Sequence, residues 1–167
     1  MKKEFLTILI IGFFIFISHL GFSQASISGI VNSYAAVDSI YPTKDTIEIS
    51  NPSLFTANDT IMIYQVKGAE PRTEIGVQPY NFGQVRNTTE LKKAGKYEII
   101  LIQGIDGNKA ILKSVLNNDY DTDDFVQIIK VPSYKSASVD GRLTCEPWDK
   151  SLGYGGVLVL MVVILYI

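Results

Sequence analysis

Histidine and cysteine each occur once in the 167 residues, and that scarcity excludes a good deal of chemistry. His19 lies inside an N-terminal segment that reads as a removable leader, so the mature chain is expected to carry no imidazole. Ser-His-Asp and Cys-His mechanisms and histidine-based metal sites are thereby excluded for it. Cys145 has no partner within the chain, so no internal disulfide can form and an apolar core must hold the fold. It is expected as a small buried side chain. Positive charge is also sparse. Lysine and arginine number 15 against 17 acidic residues, and past the leader only Lys92-Lys93 are adjacent. No basic footprint for nucleic acid or for an anionic membrane surface results. Long apolar runs are missing too: Phe5–Ile17 and Val157–Ile167 both fall short of the roughly 20 residues a membrane-spanning helix needs.

What is present begins with a charged Met1-Lys2-Lys3-Glu4, the apolar run Phe5–Ile17 broken by Thr7 and Gly12, and Ser23-Gln24-Ala25. That order is a charged region, an apolar region and a small-x-small cleavage site, so residues 1–25 read as a secretory signal peptide, with cleavage after Ser23 as the alternative. Two basic residues and one acidic residue leave with it, giving 13 against 16 and a mature net charge near −3. The expected location is outside the cytoplasm: periplasm, cell surface or medium. The remainder is long enough for one domain plus an extra piece.

Period-two patterns rich in Ile, Val, Tyr and Thr recur from residue 46, while helical periodicity is nearly missing, so the chain reads as all-β. Thr46–Ser50 alternates. Thr60–Val66 is continuously apolar, as in a strand covered on both faces. Tyr97–Gln103 and Lys109–Val115 flank Asp106-Gly107-Asn108, a hairpin in which Gly107 can take positive φ without a Cβ clash. Phe125–Val131 ends at Pro132, which cannot donate to a ladder. Asn87 with Glu90 and Gly95 predicts one short helix of one or two turns. Residues 69–87, with two prolines and two glycines, read as a long functional loop. The expected architecture is a 26–44 lead-in, then a small antiparallel barrel or sandwich over 45–135. A second region, 136–167, carries the beginning of a stacked β structure and an apolar tail.

Four carboxylates, Asp119, Asp121, Asp123 and Asp124, alternate in a short stretch and invite comparison with a calcium loop. The match to an EF-hand breaks at Asp124, where glycine belongs, and at Lys130, where an acid belongs; a solvated acidic turn is the competing explanation. Trp148 with Tyr154 is a candidate aromatic platform for a sugar ring, against the alternative that Trp148 plugs a junction. Asp38, Asp59, Glu70, Glu74, Glu98, Asp140, Glu146 and Asp149 are available for glycoside hydrolysis, but no spacing selects a pair. No cofactor is implied apart from the calcium candidate.

Several motifs occur in order: Asp59–Ala69, Ala94–Glu98, Tyr120-Asp121 with Val126-Gln127, Val131-Pro132-Ser133-Tyr134, Gly141-Arg142-Leu143-Thr144, Pro147-Trp148-Asp149 and Gly155-Gly156-Val157-Leu158. Together they resemble the N-terminal region of large exported proteins of gliding Bacteroidetes-type bacteria, those labelled gliding motility-associated C-terminal domain proteins. The resemblance implies that the Pro-Trp-Asp and Gly-Gly-Val-Leu segments open a long repetitive β region, followed in the family by adhesion-like modules and a sorting domain for type nine secretion. Set against it, the chain stops at Ile167, so Val162–Ile167 is expected to be a truncation or frameshift product and the sorting domain is not there. The resemblance also makes Asp38-Ser39-Ile40, Asp45-Thr46-Ile47 and Asp59-Thr60-Ile61 similar to the family's short O-glycosylation motif, although each also fits an ordinary turn-to-strand boundary. The expected function is that of a non-enzymatic exported β module from a surface protein in adhesion or gliding, with surface glycans or other envelope proteins as partners. A secreted carbohydrate-binding or carbohydrate-active protein is the alternative, and a small tail-anchored envelope protein a third.

Overall fold

Alternation decides which side chains enter the core. In β3 (Thr46–Ile49) the two isoleucines point inward and are buried, while Thr46 and Glu48 face out. The same parity places Ile61, Ile63 and Gln65 of β4 (Thr60–Gln65), Ile100 and Ile102 of β5 (Tyr97–Asp106), Ala110 and Leu112 of β6 (Lys109–Leu112), and Val126 and Ile128 of β7 (Val126–Lys130) in one interior. A computed structural model describes residues 24–69 and 93–166. Residues 1–23 of the expected signal peptide, the predicted helix up to Leu91-Lys92 and nearly all of the 69–87 loop lie outside the described residues; Lys93–Gly95 form a turn.

Six strands close into an antiparallel barrel in the order β2-β3-β6-β5-β4-β7. Closure leaves no edge exposed, and it resolves the barrel-or-sandwich alternative. The β5–β6 hairpin turns at Gly107-Asn108, with Gly107 at φ +58° and Asp106 opposite Lys109. β7 stops at Lys130, two residues before Pro132.

The stretch 26–44, read as a lead-in, is not one. It holds most of β1 (Ala25–Ile30) and all of β2 (Tyr34–Ile40), and β2 closes the barrel between β3 and β7. Its Tyr-Ala-Ala-Val-Asp-Ser-Ile sequence spaces the β-favouring Tyr34, Val37 and Ile40 three apart among small and polar residues, so it shows no period-two alternation, and Ala35 and Val37 fill the interior.

Outside the barrel, β1, β8 (Ser133–Thr144) and β9 (Met161–Tyr166) form a parallel sheet in that order. Its register places similar residues side by side: Ala25, Ala137 and Leu165 in one row, Ser26, Ser138 and Tyr166 in the next, Ile27 beside Val139 in a third. Strands added in chain order, parallel and in matched rows, are the start of a stacked β structure. The stack therefore begins at β1, ahead of the barrel, and the barrel is an insertion between its first and second strands. The apolar tail is the third strand, with Val163 82% exposed.

Candidate functional site

Residues 145–159 run across the outer face of the barrel and explain why β4 and β7 are apolar on both sides. Met62, Ile129, Val131 and Tyr34 form a second buried cluster there, against which Tyr64, Cys145, Tyr154, Val157 and Val159 pack. Cys145 is half-buried in that seam, with a free thiol.

Polar side chains of the barrel hold this segment by imitating strand backbone. The Gln127 amide is fully buried; its Nε2 donates to the Gly155 carbonyl at 3.1 Å and its Oε1 accepts from the Gly155 amide at 2.9 Å. Asn32 donates to the carbonyls of Lys130 (2.9 Å) and Val159 (2.5 Å) and accepts from the Val159 amide at 3.1 Å. The Tyr34 hydroxyl donates to the Val157 carbonyl at 2.6 Å. Burial pushes that phenol up to about 12, with the neighbouring Cys145 pushing the same way and a hydrogen bond from the Glu146 backbone opposing it. Gly155 sits at φ +109°, and a Cβ there would lie 2.3 Å from the Pro147 carbonyl oxygen, so no side chain fits.

Between these anchors the chain makes a tight turn from Asp149 to Tyr154. Asp149 Oδ1 accepts from the Ser151 amide (2.7 Å), the Ser151 hydroxyl (2.6 Å) and the Leu152 amide (3.3 Å). Those bonds, the Ser151 hydroxyl foremost, hold the Asp149 carboxyl below its ordinary value.

The turn and its anchors surround a cleft of about 600 Å³ whose walls include Tyr34, Glu146, Trp148, Asp149, Leu152 and Tyr154. Tyr34 and Tyr154 lie nearly parallel, with centroids 6.4 Å apart and planes 6° apart. Trp148 meets the Phe125 ring edge-on at 5.7 Å and 86°. Phe125 is itself held at φ +58°, ψ 102°, outside the usual regions for a bulky residue, with the Lys67 ammonium 4.6 Å from its ring centroid.

Trp148 and Tyr154, paired from sequence, therefore share one cleft, and Trp148 also packs at the junction as the competing explanation required. Tyr34, Asn32, Gln127 and Phe125 were missed. Tyr34 lies in the stretch taken for a lead-in, and the two amides interrupt apolar stretches in the way solvent-facing residues do.

The four aspartates are not brought together. Asp119 pairs with Lys44. Asp121 caps the turn Thr122–Asp124, accepting from the Asp123 amide at 3.2 Å. Asp124 places its carboxylate beside Gly68 and gives its carbonyl to the Lys67 amide at 2.9 Å. Among the described residues no three acidic, histidine or cysteine side chains are grouped so as to hold a metal ion. Of the glycosylation-like motifs, the Ser39 hydroxyl donates to Glu48 at 3.1 Å and the Thr46 hydroxyl to Asp45 at 3.1 Å. No described helix is long and apolar enough to cross a membrane.

No family model and no curated protein matches the chain. Among solved structures, the tailspike protein gp49 from Pseudomonas phage LKA1 is similar at 19% identity with a TM-score of 0.39. The match covers 73% of this chain and 19% of the tailspike, so the chain spans about a fifth of that protein's length.

Proposed function

We propose that the chain is an exported β module that binds carbohydrate in the cleft between its barrel and the 146–154 segment laid across it, as the N-terminal part of a surface protein of the gliding-associated kind. The observation that carries the binding proposal is the cleft itself, about 600 Å³, where Trp148 and Tyr154, the latter backed by the buried Tyr34, lie beside the carboxylates of Glu146 and Asp149. Aromatic faces pack against the C–H face of a pyranose while carboxylates accept from its hydroxyls, a pairing suited to recognition. The exported, surface-associated part of the proposal is supported by the leader-like start and by the family resemblance. Glycan partners are preferred over envelope proteins because the cleft is concave and of small-ligand size.

Binding without turnover is the stronger form of the proposal. Asp149 already spends one oxygen on three donors that shape its own turn, a poor arrangement for a group that must gain and lose protons. A glycan array probed with the intact chain should show hits that Trp148→Ala weakens at least about tenfold, a loss of about 1.4 kcal/mol. An array without any Trp148-dependent hit would remove the proposal.

A further inference from the structure

The polar groups of the cleft are unevenly supplied with donors and acceptors, and that asymmetry selects among sugars. The inference rests on the carbohydrate reading above and specifies it. Both donors of the Asn32 amide are taken by Lys130 and Val159, and its oxygen by the Val159 amide. The Tyr34 hydroxyl proton is given to Val157. The Ser33 and Tyr154 hydroxyls also line the cleft, but its charged acceptors are the Asp149 carboxylate, with only Oδ1 engaged by described residues, and the exposed Glu146 carboxylate, which takes no side-chain hydrogen bond from them. Among the described residues, both charged side chains lining the cleft are acidic, and no lysine or arginine lines it.

A ligand suited to these walls has an apolar face for the rings, donates hydrogen bonds and carries positive charge. A uronate or sulfated sugar would face two like charges, and a neutral sugar would leave their field unused. An ammonium on the ring answers both needs, because a charge-assisted N–H···carboxylate bond is about twice as strong as a neutral one. We infer that the cleft recognises a hexosamine with a free amine, with Glu146 as the residue that discriminates for the charge.

The test is calorimetric titration of the full chain with short oligomers of glucosamine, of N-acetylglucosamine and of galacturonic acid, at low and at high salt. Two variants define the cleft: Trp148→Ala, and Leu152→Arg, which places a cation at a half-exposed lining position. If Trp148→Ala does not fold, Leu152→Arg decides alone. The expected result is tightest binding of the glucosamine oligomer, by at least about tenfold over its N-acetylated counterpart. That preference should shrink with salt and fall to within about threefold in Glu146→Gln, a change at an exposed position that leaves the melting temperature unmoved. Cleft-dependent binding of the N-acetylated or the acidic oligomer, as tight as glucosamine or tighter, would overturn the amine inference and leave the carbohydrate site standing. No cleft-dependent binding of any oligomer would overturn both.

Discussion

A buried carboxamide destabilises a fold unless both of its ends are paired. Asn32, Gln65 and Gln127 are the buried polar residues among those described, and all three pair with backbone. Gln65, the last of the inward-facing row on β4, donates to the carbonyls of Asp121 (2.9 Å) and Asp124 (3.3 Å) and accepts from the Asp121 amide at 2.7 Å. It fixes the 121–124 turn as Gln127 fixes Gly155 and Asn32 fixes Val159. Replacing Gln127 by leucine keeps the volume and orphans both backbone groups of Gly155, which is buried. Each orphaned group costs about 1–3 kcal/mol, so Gln127→Leu should lose about 2–6 kcal/mol in urea unfolding with an unchanged m value. A loss below about 0.5 kcal/mol would mean that Gly155 finds other partners. The role of these amides was not legible in the sequence. Ile-Met-Ile-Tyr-Gln and Phe-Val-Gln-Ile show an amide inside an apolar run, and nothing local says whether water or a distant carbonyl will meet it.

At the scale of elements, strands built from β-branched residues were legible, because burial on one or both faces writes itself into the pattern. β3, β4, β5, β6 and β7 all carry that mark. β1 and β2 do not: Ile27 and Ile30 of β1, and Tyr34, Val37 and Ile40 of β2, stand three residues apart among small and polar neighbours, so neither strand alternates. Connections between strands depend on single carboxylates, and Glu98 of β5 is the clearest case. Its carboxylate accepts from the amides of Asn117 and Asn118 at 2.8 Å each, from the Asn117 side chain at 2.9 Å and from the Tyr120 hydroxyl at 3.1 Å. Burial alone would raise its pKa, but the amide and hydroxyl donors together outweigh burial and lower it from 4.5. Since the folded value is the lower one, this stabilisation is complete above pH 4.5 and is lost as the pH falls through the folded pKa. Melting temperatures followed downward from pH 6 should therefore decline below pH 4.5, and less steeply in Glu98→Gln, which has no carboxylate to protonate. Parallel profiles would assign the acid sensitivity elsewhere.

For the whole molecule, the arrangement is a stack interrupted by a barrel. The beginning of a stacked region was legible near residue 136 from its glycine-punctuated apolar segments, but its first strand was not, since β1 finds its partner more than a hundred residues later. The same distance hid half of the cleft: Trp148 and Tyr154 announce themselves by residue type, whereas Tyr34 reaches them only because β2 closes the barrel. The two connections of the insertion leave it side by side, as the Lys130 amide donates to the Ser33 carbonyl at 2.8 Å and Asn32 holds the Lys130 carbonyl. This neighbourhood has a mechanical consequence. Tension applied at Ala25 and Tyr166 is carried first across the parallel β1–β8 and β8–β9 pairs, where the rows of hydrogen bonds are sheared together, and the barrel is shielded. Once β1 slides off β8, the pull moves to Ser33 and Lys130, at the same end of the antiparallel β2–β7 pair, whose bonds then open one after another. Single-molecule stretching should show a high-force event followed by a weaker one that releases the barrel's length; a single event, or the reverse order, would contradict it. A module built in this way yields its sacrificial sheet before its core, and a chain held under shear would keep its barrel folded until that sheet fails.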